Sequence, residues 1–259
     1  MNGAVVKVEI GPWVNAGWKM FTSHWQTWVK MACLAFLPMI IPMIGVVVGY
    51  FGVIASLIPH VAFDPYGQPY PQMSAGVPVW AFTILGGSML LAMLAGFISL
   101  YFGIGMWKAA LKQARGGIPE MSDLRGNGHL FWKVFLAQLV VGLLTMVGIM
   151  LCYIPGFIVM AWYYYVIPLV IDKELGLGEA MERSKAVTSQ QLLMFILWAF
   201  VVSILASLGA YVCYIGVVAT IPLQFTMAAA SYCASYEGAN YGTPAPAYPP
   251  PAAPPSASY

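Results

Sequence analysis

Residues 152–189 read CYIPGFIVMAWYYYVIPLVIDKELGLGEAMERSKAVTS. A tight turn at Ile154, Pro155 and Gly156 comes first, and an uncharged apolar run from Phe157 to Ile171 follows it. Charge returns abruptly at Asp172, Lys173 and Glu174, and a short amphipathic segment closes the stretch. Turn, membrane span and interfacial helix form the unit from which the chain is read, used three times.

Only 8% of the 259 residues are charged and 61% are hydrophobic. Soluble domains carry about 25% charged residues. A chain this poor in charge cannot cover a water-facing surface, so lipid is its expected solvent. The net charge of +2, with no long basic run, argues against nucleic acid as a partner. The opening residues, MNGAVVKVEIGP, lack a basic region leading into a short apolar core, so internal spans are expected to direct insertion.

The expected fold is all-α: a polytopic membrane helical bundle of six transmembrane helices as three parallel-repeat hairpins with cytoplasmic interfacial helices. The spans are predicted at about 31–53, 79–106, 131–153, 157–171, 191–212 and 215–235, each compared with the roughly 20 apolar residues that cross ~30 Å of hydrocarbon. The fourth is short, which predicts local thinning or snorkelling at Lys173. Together they make a membrane domain over 1–236, and the proline- and alanine-rich 237–259 is expected to be a disordered cytoplasmic tail. Residues 57–78, with several prolines and no Lys or Arg, read as a loop.

Ahead of the first span, Val14, Trp18, Phe21, Trp25 and Trp28 recur at steps of four and three, one face of a helix over 12–28. Its tryptophans suit the headgroup boundary, where an indole buries its ring and keeps its N–H wet. The alternative is a helix packed on its own protein. Within the spans, Gly45 and Gly49 form a GxxxG pair, and Ser88, Ala92, Gly96, Ser99 and Gly103 form a longer stripe of small residues. Both would let helix backbones approach closely.

All eleven Lys and Arg lie in 7–30, 108–133 or 173–185. With six spans those regions share one side, which the positive-inside tendency makes cytoplasmic, together with both termini. The repeat is also visible in letters: CYIPG at 152–156 recurs as CYIG at 213–216, and IPL at 167–169 as IPL at 221–223. The copies are parallel rather than inverted, unlike many secondary transporters.

Chemistry-bearing constellations are sparse. His24, His60 and His129 lie in separate segments, and no phosphate-binding glycine loop is present. No catalytic residue, cofactor or metal site is therefore expected. Glu120 with Asp123, and Glu179 with Glu182, would suit either a cation or a solvated membrane boundary. Cys152 and Cys213 occupy equivalent places near the outward turns, where they would form a disulfide in an oxidising exterior or serve as small apolar residues. Gln138 and Gln224 are the main polar side chains of the spans. The lack of ionisable groups there argues against a coupled ion pump.

At Ile154-Pro155-Gly156, Pro168-Leu169-Val170-Ile171-Asp172 and Gly178-Glu179-Ala180-Met181-Glu182-Arg183-Ser184, the chain resembles a set of bacterial six-span integral membrane proteins of unknown function. That set is similar to the membrane domain of bacterial glycerophosphodiester phosphodiesterases. The resemblance is best over 130–236 and implies a multi-pass protein of the bacterial inner membrane, with no activity attached. The expectation is thus a non-enzymatic structural, scaffolding or accessory subunit of a membrane assembly, contacting membrane lipids and a protein partner or itself. The alternative is a transporter or channel for a lipid-like or neutral small solute.

Overall fold

The computed structural model describes residues 8–58, 60–63, 65–72, 79–151, 153–211 and 216–238. Helices dominate in the order α1 (Ile10–Ser23), α2 (Trp25–Leu57), α3 (Val79–Ala114), α4 (Gly128–Leu151), α5 (Tyr153–Trp162), α6 (Val166–Asp172), α7 (Leu177–Thr188), α8 (Leu192–Tyr211) and α9 (Val217–Glu237). Between α2 and α3, where a plain loop is predicted, strands β1 (His60–Phe63) and β2 (Pro69–Gln72) pair antiparallel, with His60 opposite Gln72.

Five segments among the described residues are long and apolar enough to cross a membrane: Trp25–Ser56, Val79–Ala114, Gly128–Leu151, Ile154–Asp172 and Leu177–Leu205. By that measure the chain is a membrane protein. Three boundaries depart from expectation. The predicted interfacial helix over 12–28 ends at Ser23, and α2 begins at Trp25. The predicted fourth span is interrupted at Tyr163–Tyr165. The predicted fifth span runs on from α7 through a 3-10 turn at Ser189–Gln191.

The chain divides into two compact units, Met31–Gly103 and the remainder, Met1–Lys30 with Ile104–Tyr259. In the larger unit α1 and α8 pack on α9, α4 packs on α5 and α6, and α7 packs on α6. Burial is concentrated at one end. The last turns of α3 (Ile104, Met106, Ala109, Ala110), the first of α4 (Leu130, Val134, Ala137), most of α6 and the second half of α9 (Met227 to Cys233) are enclosed. Further along α4, Leu143, Met146, Met150 and Leu151 are exposed, as suits a lipid-facing surface.

Two helical hairpins in this unit close in the same way. In α4/α5 a Cβ on Gly148 would lie 2.9 Å from the Gly156 Cα, and in α8/α9 a Cβ on Gly216 would lie 2.9 Å from the Gly209 Cα. Each glycine pair lets two backbones meet just inside a reversal, and the pairs stand at corresponding places in the repeated letters. Pro155 and Gly156 themselves belong to the first turn of α5, not to the connection. Proline is tolerated there because that N–H has no intrahelical acceptor.

In the Met31–Gly103 unit, α2 and α3 run antiparallel with small residues between them. A Cβ on Gly49 would come within 3.1 Å of the Leu85 backbone N and 3.2 Å of the Ala81 carbonyl. Gly45 faces Ser88, and Gly52 faces Trp80 and Ala81. Ser99 Oγ donates to the Ala35 carbonyl at 2.8 Å. Pro38 and Pro42 lie inside α2 without ending it.

Candidate functional site at the basic end of the larger unit

Arg115 follows the last residue of α3, Asp172 ends α6 and Glu237 ends α9. The Arg115 Nη1 stands 2.7 Å from Asp172 Oδ1, while its Nε donates to both Glu237 oxygens at 3.2 Å. Tyr232 donates its hydroxyl to Asp172 Oδ2 at 3.0 Å, and Lys173 Nζ lies 3.2 Å from the same oxygen. A guanidinium fits this place because helix C-termini leave carbonyls unpaired and carry partial negative charge. Its fork also reaches two carboxylates at once. Burial disfavours the charge on Arg115, but hydrogen bonds to Asp172 and then Glu237 outweigh it and raise its pKa above the ordinary arginine value.

A second polar centre joins α1, α2 and α3. The Trp28 indole N–H donates to Gln113 Oε1 at 2.9 Å, and Gln113 Nε2 donates to the Met20 carbonyl at 2.7 Å. The same amide nitrogen lies 3.2 Å from Ser23 Oγ and from His24 Nδ1. Gln113 thus ties down the break that separates α1 from α2.

The third centre lies at the interruption between α5 and α6. Proline at 168 supplies no N–H to the Tyr164 carbonyl, and its ring crowds that carbonyl, so the helix opens one turn earlier. Hydroxyls from α7 take the freed groups: Ser184 Oγ donates to the Trp162 carbonyl at 2.7 Å and accepts from the Tyr165 N–H at 3.2 Å. Thr188 Oγ1 reaches the same carbonyl at 3.2 Å. Ala180, Ser184 and Thr188 form the buried stripe of α7. Tyr165, the last residue of the break, packs edge-on to Phe195, Tyr232 and Tyr236.

The predicted interfacial residues divide between two environments. Trp28 is fully buried, which corrects its place in the stripe, whereas Trp18 and Trp25 are 53% and 54% exposed. Val14 and Phe21 are intermediate. The inward face of α1 is instead Trp13 and Gly17. Trp13 meets Trp198 edge-on at 5.2 Å, and Gly17 accepts a hydrogen bond from Thr226 Oγ1 at 2.9 Å. Gly17 lets α9 come within van der Waals reach: a Cβ there would stand 2.7 Å from the Met227 Cα.

Among the predicted packing residues, Gly45, Gly49, Ser88 and Ser99 meet across α2 and α3, and a Cβ on Gly96 would be 3.7 Å from the Met39 methyl. Ala92 is half-buried on the same stripe, and Gly103 faces open space. Ala81, Leu85 and Ala95, absent from the predicted set, continue that stripe on α3. Cys152 and Cys213 lie outside the described residues. Cys33 and Cys233 are free.

Three of the four carboxylates considered for cation sites are engaged otherwise. Asp123 Oδ2 accepts from the Glu120 N–H at 2.8 Å, and both side chains neighbour Lys112 Nζ, at 3.7 Å from Glu120 and 3.3 Å from Asp123. Glu179 pairs with Arg183 at 2.6 Å. No group of three or more metal-ligating side chains gathers among the described residues. The basic end therefore joins helix ends, and its polar groups chiefly contact one another. No protein-family model, curated protein or solved structure matches this chain.

Proposed function

We propose that this chain is a non-enzymatic, multi-pass protein of a bacterial inner membrane that organises or accompanies other membrane components. In this reading α9 is a sixth span, the spans form three hairpins of the same orientation, and both termini are cytoplasmic. The carrying observation is that charged side chains of the larger unit gather at one end and join α3, α6 and α9 there. Spanning surfaces beyond that end expose leucine, isoleucine and methionine, the surface that lipid or another membrane helix covers. The six-span bacterial proteins resembled over 130–236 would share this placement.

The direct test is crosslinking in native membranes, then purification in mild detergent and mass spectrometry of what is retained. A stable protein partner or a defined oligomer is expected. A monodisperse monomer without partners would defeat the assembly role. Topology is tested separately by labelling single cysteines with an impermeant reagent: sites beside Arg125 and Gln68 should react from opposite faces.

A second reading, passage of a lipid-like or neutral solute, is favoured by one observation. The Ile154–Asp172 span is discontinuous at Tyr163–Tyr165, and broken helices in membranes commonly border a binding site. Flux of labelled lipid or neutral solute across protein-containing vesicles, above that of empty vesicles, would favour it over the assembly role.

A further inference from the structure

Most carboxylates at the basic end are already engaged. Asp172 and Glu237 hold Arg115, Glu120 and Asp123 neighbour Lys112, Glu174 meets His129 and Glu179 meets Arg183. Lys133 bonds a carbonyl and Lys185 lies over the Trp162 ring. Among the described residues this leaves Lys19, Lys30, Lys108 and Arg125 with no carboxylate at ion-pair distance. Lys19, Lys30 and Arg125 are exposed. Exposed indoles occur in the same segments: Trp18 adjoins Lys19 in sequence, Trp25 lies in the first turns of α2 as Lys30 does, and Trp132, next to Lys133, is 69% exposed.

An exposed indole prefers the boundary between acyl chains and headgroups, and an unpaired ammonium or guanidinium beside it meets phosphate at the same depth. α1 has the matching cross-section: Trp13 and Gly17 face inward, Val14, Trp18 and Phe21 lie on one flank, and Asn15, Lys19 and Thr22 lie on the outer side. We propose that the basic end of the larger unit is a docking surface for anionic phospholipid headgroups. On it α1 lies along the leaflet, and Lys19, Lys30 and Arg125 take the phosphates. This inference rests on the membrane placement above and is independent of any assembly role.

The test uses the full chain in phosphatidylcholine vesicles containing either brominated phosphatidylglycerol or brominated phosphatidylcholine. Bromine quenches indoles it touches, and comparison with Trp18→Phe/Trp25→Phe isolates the signal of the two outward indoles of α1 and the start of α2. The anionic lipid is expected to quench that signal at a several-fold lower mole fraction, with about fivefold per basic residue as the upper limit. High salt should abolish the preference, as should the triple variant Lys19→Gln/Lys30→Gln/Arg125→Gln. The charge-keeping Lys19→Arg/Lys30→Arg variant should retain it, which separates loss of binding from loss of fold. Equal quenching by the two lipids, or a preference untouched by the triple variant, overturns the proposal. Quenching by neither lipid would also remove the membrane placement, a separate failure.

Discussion

At the basic end of the larger unit, helices are joined by side chains that reach across: Arg115 to Asp172 and Glu237, Gln113 to Trp28 and Met20, Ser184 to Trp162 and Tyr165. In the Met31–Gly103 hairpin they are joined where side chains are absent, at Gly45, Gly49 and Gly52 against Ala81, Leu85 and Ser88. The membrane placement proposed above accounts for the difference. Among apolar lipid tails, burial of apolar surface gives little drive for association, so close backbone contact has to supply it. At the boundary, polar groups are available and helix ends leave carbonyls to satisfy. Variants that exchange one kind of contact for the other's failure test that contrast.

The largest effect is expected at Arg115. Its removal leaves Asp172, whose side chain is 6% exposed, and Glu237 facing each other with only the more exposed Lys173 as a cation within reach among the described residues. Arg115→Met should destabilise the larger unit by about 3 kcal/mol, the low end for breaking a buried ion pair, because Lys173 compensates the two carboxylates only in part. Thermal unfolding in detergent would show it. A second change, Asp172→Asn, should recover part of the loss; if it deepens the loss instead, the cluster is not acting through charge.

Gly49 is the counterpart in the hairpin. Gly49→Leu drives a side chain against the Leu85 and Ala81 backbone and should cost about 2 kcal/mol, an ordinary overpacking penalty. Amide exchange should rise across α2 from Met31 onward and along the facing turns of α3, with the last turns of α3 unchanged. Faster exchange at both ends alike would mean that the two regions do not respond separately.

The hairpin was the more legible of the two regions. Small residues at helical spacing leave a pattern in the letters, and GxxxG with Ser88 and Ser99 marked the facing stripes. Segregation of Lys and Arg likewise marked the helix ends that contact one another at the basic end. What could not be read there were the long-range partners. Gln113 and Trp28 are 85 residues apart, and an isolated glutamine near a helix end carries no periodic signal. The inner face of α1 was hidden because Gly17 has no hydrophobicity to register, while Val14, Trp18 and Phe21 formed the stronger apolar stripe. Pro168 did carry a local signal for the interruption one turn before it, but which hydroxyls fill the break depends on how α7 folds back.

That filling gives the third prediction. Ser184→Ala removes both a donor to the Trp162 carbonyl and the acceptor of the Tyr165 N–H, while Thr188 still reaches the carbonyl. The loss should be about 1.5 kcal/mol, the range for leaving a buried backbone group unmet. Ser184→Thr should restore most of it. Slower exchange of the Tyr165 amide in Ser184→Ala than in the parent would show that the hydroxyl is not its acceptor.

The smallest effects separate two tryptophans that one stripe had joined. Trp28→Phe loses the N–H bond to Gln113 in an enclosed site and should cost about 1 kcal/mol. Trp18→Phe changes a ring that faces outward, so its effect on stability should stay within about 0.5 kcal/mol. Thermal unfolding measures both, and the ordering matters more than either value. If Trp18→Phe proved the more damaging, the outward face of α1 would have to be pressed against something in detergent. An effect carried by lipid should fade when anionic lipid is withdrawn, whereas a protein contact would persist. The same pair of tryptophans therefore separates a helix resting on the leaflet from one covered by another chain.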